Sequence, residues 1–296
     1  MDTLYDMHCH LGFAANAPQA GAIAAAARIG ALSCTVGPEE FAAFGTGGAV
    51  PDDGAHGEAG PAGRGAANAE GRACSEGAAR CETEGPAPDG NSPVTWGLGL
   101  HPWYVREDWR PQAEAFEALM PQAGAFGELG LDFSNRHKGS ADAQVAAFNW
   151  LLQAIASQAR RSTAPPLLSL HAVHSADAVL EALRKTGALD CCRVVLHWFS
   201  GSGEELAAAR QAGCYFSVGP HMLASRRGRA YGAQIPASHL LLETDEPSEG
   251  AVLEGAAWRG QLEGALGQLA ALRRADAAEL GAAIAATSRQ LLGLGL

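Results

Sequence analysis

Two histidines one residue apart, His8 and His10 in D-M-H-C-H-L-G-F, close the first apolar run of the chain. In a strand, alternation sends both imidazoles to one side and Cys9 to the other. Neutral imidazole is the commonest protein metal ligand, so the pair suits a divalent cation. A surface-facing strand end or two hydrogen-bonded core histidines suit the same spacing, and the rest of the chain has to decide. Glu128 interrupts a β-rich run in G-E-L-G-L-D, His171 and His197 each end another, and Asp245 directly follows L-L-E-T. Four histidines and two acids at strand ends are hard to explain as packing. They read as metal ligands: His8, His10, Glu128, His171, His197 and Asp245.

The elements that must position them follow from patterning. Eight short β-rich runs are spaced along the chain: 3–8, 31–36, 94–100, 124–132, 167–171, 193–197, 213–218 and 239–244. Ala-rich helical patterns separate most of them, including Ala141–Arg161, Ala176–Lys185 and Glu204–Gln211, and a final helical pair covers about Ala257 to Leu292. Gly187 and Gly213 mark helix ends. Eight strands alternating with helices is the count for a (β/α)₈ TIM barrel, an α/β fold that gathers its active site at the C-terminal strand ends. Five or six strands would have indicated a doubly wound sheet. The connection after 213–218 looks irregular and is expected to hold only a short helix.

Residues 45–92 stand apart. Twelve are Gly, eleven Ala and four Pro, with no Leu, Ile, Met, Phe, Tyr or Trp, so the stretch cannot bury enough apolar area to offset its ordering entropy. It is read as a low-complexity insertion in a single 1–296 domain. It carries −5 of the formal charge of −11. General phosphate attraction usually needs a basic protein, so an anionic substrate here requires a local positive site, which bound metal can supply. No apolar run is long enough to cross a bilayer, and no basic-then-apolar segment opens the chain. Seven scattered cysteines, an odd number without C-x-x-C, argue against a disulfide framework and for a reducing cytoplasm. No membrane and no obligate protein partner is expected.

The motifs D-M-H-C-H, G-L-H-P-W (99–103), G-E-L-G-L-D (127–132), L-H-A-V-H-S-A-D (170–177), L-H-W-F-S-G (196–201) and L-E-T-D-E-P (242–247) together resemble the TatD-type metal-dependent deoxyribonucleases, within the amidohydrolase-like barrels. Gln144 and Phe148 also fit that family's spacing. The resemblance covers the chain apart from the insertion. It implies a dinuclear centre in which His8, His10 and Asp245 hold one ion, His171 and His197 the other, and Glu128 bridges. It further implies phosphodiester hydrolysis of DNA, in the sharper version from the 3′ end of single strands, with Glu128 and Asp245 catalytic. Family members work with Mg²⁺ or Mn²⁺, while the mixture of imidazole and carboxylate also suits Zn²⁺. One departure is Val173, where many members carry an arginine; His174, next in the chain, is the cation-bearing residue in its place.

Further residues fall near the same mouth. His101 is read as a donor to substrate phosphate or a turn histidine ahead of Pro102. Trp198 is read as a stacking face for a nucleobase, Phe199 as packing, and His221 and His174 as substrate contacts. Asp132 is expected to orient the Glu128 loop or to serve as a plain turn residue, and Glu243 to make a buried structural hydrogen bond facing away from Asp245's neighbours. Arg226, Arg227 and Arg229 form a basic cluster that grips phosphate or lies on a solvated loop. Two other functions fit the same residues. The first is hydrolysis of a different ester, lactone, amide or aminoacyl-tRNA bond at the same metal centre. The second is a non-catalytic metal-binding protein, against which a complete six-ligand set argues.

Overall fold

The computed structural model describes residues 2–46 and 92–294, so the 45–92 insertion lies almost wholly outside the described residues. Among the described residues the strands are β1 (Leu4–Cys9), β2 (Ile29–Cys34), β3 (Val94–Leu98) and β4 (Ala125–Asp132). They continue with β5 (Leu167–Val173), β6 (Arg193–His197), β7 (Tyr215–Val218) and β8 (Leu240–Leu242). All pair in parallel in the order β1 to β8, and each is buried over most of its length. That explains the near-continuous apolar runs, since a parallel strand with both faces covered has no polar side.

Among the described residues ten α-helices surround the sheet: α1 (Ala20–Ala27), α2 (Pro38–Phe44), α3 (Arg110–Leu119), α4 (Ala141–Ala159) and α5 (Ala176–Thr186), then α6 (Gly203–Gln211), α7 (Pro220–Ala224), α8 (Arg226–Gln234), α9 (Gly255–Arg273) and α10 (Ala277–Leu291). Gly187 ends α5 in the left-handed region at φ 71°, and Ser202 with Glu205 forms a capping box on α6. The connection after β7 departs from expectation, because it holds two helices rather than a single short one. The arginine cluster opens the second of these, where Ser225 Oγ accepts from Gly228 N. Arg229 is spent on the carbonyls of Leu223 and Ala224 at the end of α7, and Arg227 on that of Ser200. The cluster is therefore a helix-joining device and not a loop.

Two apolar cores result. The larger fills the layer between sheet and helices, and a smaller one, including Tyr5, Met7, Leu32, Cys34, Val195 and Leu241, plugs the barrel interior. Two strands break register, β1 between Asp6 and Cys9 and β4 between Phe126 and Leu129. The irregularities fall on His8 and Glu128. In a bulge, an extra residue re-aims side chains, and here Met7 joins the interior plug while His8 and His10 still both turn inward.

The seam between β8 and β1 is closed at its upper end by Asp245 N–H to the His8 carbonyl (3.0 Å) and His10 N–H to the Glu246 carbonyl (2.9 Å). Asp6 locks this seam from the outer side of β1. Its fully buried carboxylate accepts from the backbone N–H groups of His8 (3.3 Å) and Thr244 (3.0 Å), from Thr244 Oγ1 (2.5 Å) and from Trp258 Nε1 (2.7 Å) on α9. Burial nevertheless pushes its pKa up to about 6. Asp6→Asn turns two of the four accepting positions into donors facing donors. It is expected to lower unfolding free energy by about 1–3 kcal/mol, read as a lower urea midpoint; an unchanged midpoint would deny Asp6 this role.

Candidate metal centre

Every ligand inferred from the sequence arrives at one point. Glu128, 1% exposed, turns Oε1 toward His171 Nδ1 (2.6 Å), His197 Nε2 (2.8 Å) and His101 Nε2 (3.3 Å). Its Oε2 faces His10 Nε2 (3.2 Å) and His8 Nε2 (3.5 Å). Asp245 Oδ1 lies 3.3 Å from His10 Nε2 and 3.6 Å from His8 Nε2. Three triads place their donor atoms within 4.8 Å of one another: His8–Glu128–His197, His8–His10–Asp245 and His101–Glu128–His171. Glu128 reaches this position only because β4 passes close to its neighbours. A Cβ on Gly130, at φ +143°, would sit 2.0 Å from the His171 carbonyl oxygen, so only glycine fits there.

The supporting contacts fix which nitrogen of each ring faces the centre. His10 Nδ1 lies 3.0 Å from the Cys34 carbonyl oxygen, which can only accept, so Nδ1 carries a proton and Nε2 is the nitrogen turned inward. His8 Nδ1 pairs with Ser169 Oγ at 2.7 Å, leaving Nε2 inward and, although buried, without a hydrogen-bond partner. Its ring stacks on that of His197 at 3.7 Å, only 2° from parallel. His101 is the opposite case. Its Nδ1 accepts from Trp103 N–H at 3.1 Å, so the neutral ring carries its proton on Nε2 and presents a donor to the centre. By its position His101 belongs to a ligand-capable triad, but its tautomer makes it a donor to an anionic oxygen.

Asp132, expected to orient the Glu128 loop or to serve as a turn residue, accepts the Ser134 N–H of the turn after β4 (2.8 Å) and faces His171. Its Oδ2 lies 3.3 Å from His171 Nε2 and accepts from Trp103 Nε1 at 2.6 Å. Gln144 on α4 steadies this turn by accepting Asp132 N–H at 2.8 Å. Glu243 makes the expected buried hydrogen bonds, from Ser217 Oγ (2.5 Å) and Trp198 N–H (3.0 Å). It turns toward the centre, however, with Oε2 3.9 Å from His197 Nδ1. Alternation misleads here because β8 ends at Leu242 and the chain beyond follows loop geometry.

The charges follow from these contacts. Burial pushes the Glu128 carboxyl up, but His101 and His197 and the hydrogen bonds of His10 and His101 hold it well below the carboxylate range. Burial likewise raises Asp245, but the His10 hydrogen bond together with His197 and His8 outweighs it and brings it to about 2. His10 rises to about 10 and His171 to about 9, in each case against burial and through carboxylate partners. Burial and the neighbouring His197 bring His8 down to about 4, the neutral form in which imidazole ligates. A buried imidazole nitrogen without a partner, ringed by two carboxylates and three further histidines, is the environment a divalent cation satisfies.

A cavity of about 570 Å³ opens above the cluster. His101 and Trp198 line it as expected. His221 stands at the rim, stacked on Trp198 at 4.9 Å with Nε2 3.6 Å from Glu246 Oε1. His174 is exposed at φ 54° beyond β5 and is not among the lining residues. Phe199 is packed, as expected. The sequence reading missed Trp103 and Tyr104, which also line the cavity and are 48% and 51% exposed. The signal was available, since large aromatics directly after a strand-end histidine face the mouth of a barrel.

The sequence profile described as TatD related DNase matches residues 5–293. The chain is 37% identical over 155 residues to the 3′-5′ ssDNA/RNA exonuclease TatD of Klebsiella pneumoniae, covering 50% of this chain and 56% of that protein. It therefore spans about half the length of this relative. Against the 3′-5′ ssDNA/RNA exonuclease TatD of Erwinia tasmaniensis it is 32% identical over 208 residues, 66% of this chain and 77% of that one. In fold it is similar to the crystal structure of the TatD homolog YjjV from Escherichia coli K12, with a TM-score of 0.69 at 21% identity, over 99% of this chain and 98% of that one. The barrel, the histidines and carboxylates gathered at its strand ends and the near full-length profile match agree: the chain belongs to the TatD related DNase family.

Proposed function

We propose that this protein hydrolyses phosphodiester bonds of DNA, as a 3′-5′ exonuclease on single strands, at a centre of two divalent ions. The observation that carries the proposal is the convergence of four histidines and Asp245 on Glu128, with His8 Nε2 buried and unpartnered among them. His8, His10 and Asp245 would hold one ion, His171 and His197 the other, and Glu128 would bridge. Mg²⁺, Mn²⁺ and Zn²⁺ all suit this donor set. Such ions, when bound, supply Lewis acidity toward the phosphodiester oxygens and make water acidic enough to attack near neutral pH.

The chain's own groups do the rest. Asp245, ionised and with a side chain 20% exposed, is the acid best placed to orient an incoming water and accept its proton. His101, with its proton fixed on Nε2, donates to a phosphate oxygen. Trp198 and His221 contact the substrate at the rim, and His174 serves only a strand reaching beyond the cavity. Asp132 keeps the His171 ring in place. Among the described residues no helix is long and apolar enough to cross a membrane, and the scattered, odd-numbered cysteines support action in the cytoplasm. One observation favours a second reading at the same centre, hydrolysis of another ester, lactone, amide or aminoacyl-tRNA bond. Among the described residues no Lys or Arg lines the cavity, and Val173 does. A panel of such substrates separates the two.

A 5′-labelled single-stranded oligonucleotide, incubated with Mg²⁺, Mn²⁺, Zn²⁺ or chelator, should shorten stepwise from its 3′ end only with metal. Asp245→Asn should slow this by roughly 10²-fold or more, and undiminished cleavage in chelator or in the variant would overturn the assignment. Asp132→Asn should weaken Mn²⁺ binding by about 10- to 100-fold in calorimetric titration, through loss of the His171 support. Wild-type affinity in that variant would mean His171 needs no such partner.

A further inference from the structure

A pocket for a polyanion normally carries arginine or lysine, and the described lining of this one carries neither. It carries aromatic surface instead. Of the six large hydrophobic side chains exposed among the described residues, Trp103, Tyr104 and Trp198 all stand at the cavity. The two indoles are built alike. Trp103 has one face on the ring of His137, at 4.7 Å and 9° from parallel, and Trp198 one face on His221, at 4.9 Å and 20°. Each still exposes a large share of its surface, 48% and 40%.

Both are held from beneath by a carboxylate that also touches a proposed ligand. Asp132 takes Trp103 Nε1–H and faces His171; Glu243 takes Trp198 N–H and stands near His197. Trp198 keeps φ at 36°, a strained value for a bulky residue that persists only where its surroundings over-determine it. The tryptophans follow β3 and β6, three strands apart in an eight-stranded barrel, so they flank the centre from different sides.

We infer that Trp103–His137 and Trp198–His221 are two base-stacking platforms, one on each side of the reacting phosphate, and that they replace fixed cations as the source of strand affinity. The inference rests on the single-strand nuclease reading and names how that strand is held. Every nucleobase has a π-face, so such platforms bind without regard to sequence but require bases that are unpaired and unstacked from a complement. They also release few counterions on binding.

The test is equilibrium anisotropy with labelled octathymidylate in chelator, against the same strand lacking bases on its last three nucleotides. Removing the bases should weaken wild-type binding by about 5- to 100-fold, and Trp198→Ala and Trp103→Ala should each shrink that factor toward one. Trp198→Phe and Trp103→Phe retain a ring and should retain most of the factor, which separates stacking from damage to the fold. The log–log salt slope should be about −1 or shallower. Equal wild-type affinity for both strands, a factor unchanged in both alanine variants, or a slope of about −3 or steeper would overturn the inference. Cleavage scored on the same strands keeps the two readings apart. Base-dependent binding without cleavage sinks the nuclease and leaves the platforms, and cleavage indifferent to the bases does the reverse.

Discussion

One buried carboxylate organises this molecule. Glu128 is almost wholly out of water and has five imidazole nitrogens within 3.5 Å, from β1, β5 and β6 and from residues just beyond β1 and β3. A charge in that position is costly unless partners replace its hydration, so Glu128 and the histidines require each other. The strands accommodate the arrangement by departing from regularity. The register breaks of β1 and β4 fall on His8 and on Glu128, and Gly130 lets β4 press against the His171 backbone.

Around this pair of requirements sits a ring of supporting groups, of which Asp132 also lines the cavity. The Cys34 carbonyl and Ser169 fix His10 and His8, Asp132 holds His171, and Glu243 supports the turn after His197. Asp6 works on the far side of the same strand as His8, tying the residue before Asp245 to β1 and α9. The barrel's closing seam and the central cluster thus share one backbone: His8 and His10 bond through the main chain to Asp245 and Glu246 while their rings face Glu128. Such coupling lets a site of this precision rest on strand ends instead of on long loops.

The electrostatics of the mouth follow from the same economy. A chain of net charge −11 with no lysine or arginine in its described cavity lining offers a phosphate only its histidines and whatever cation the cluster holds. Positive charge confined to the reacting centre leaves the walls free for flat apolar faces, which is what Trp103, Tyr104 and Trp198 provide. The arginines that looked available from the sequence, Arg227 and Arg229, are committed to carbonyls around the two helices after β7.

The barrel and its six candidate ligands were legible in the sequence, because both depend on local periodicity. A buried parallel strand is an apolar run, its end is marked by the first polar residue, and eight such ends in a barrel converge by topology alone. Every strand boundary agreed to within two residues. Tertiary structure alone decided the tautomer of His101, the register breaks at His8 and Glu128, the inward turn of Glu243 and the support of His171 by Asp132. Each of these depends on a partner distant in sequence or on a loop whose path no period describes. Residue types determine which chemistry is available, while the direction in which each proton points is set by contacts that exist only once the chain has folded.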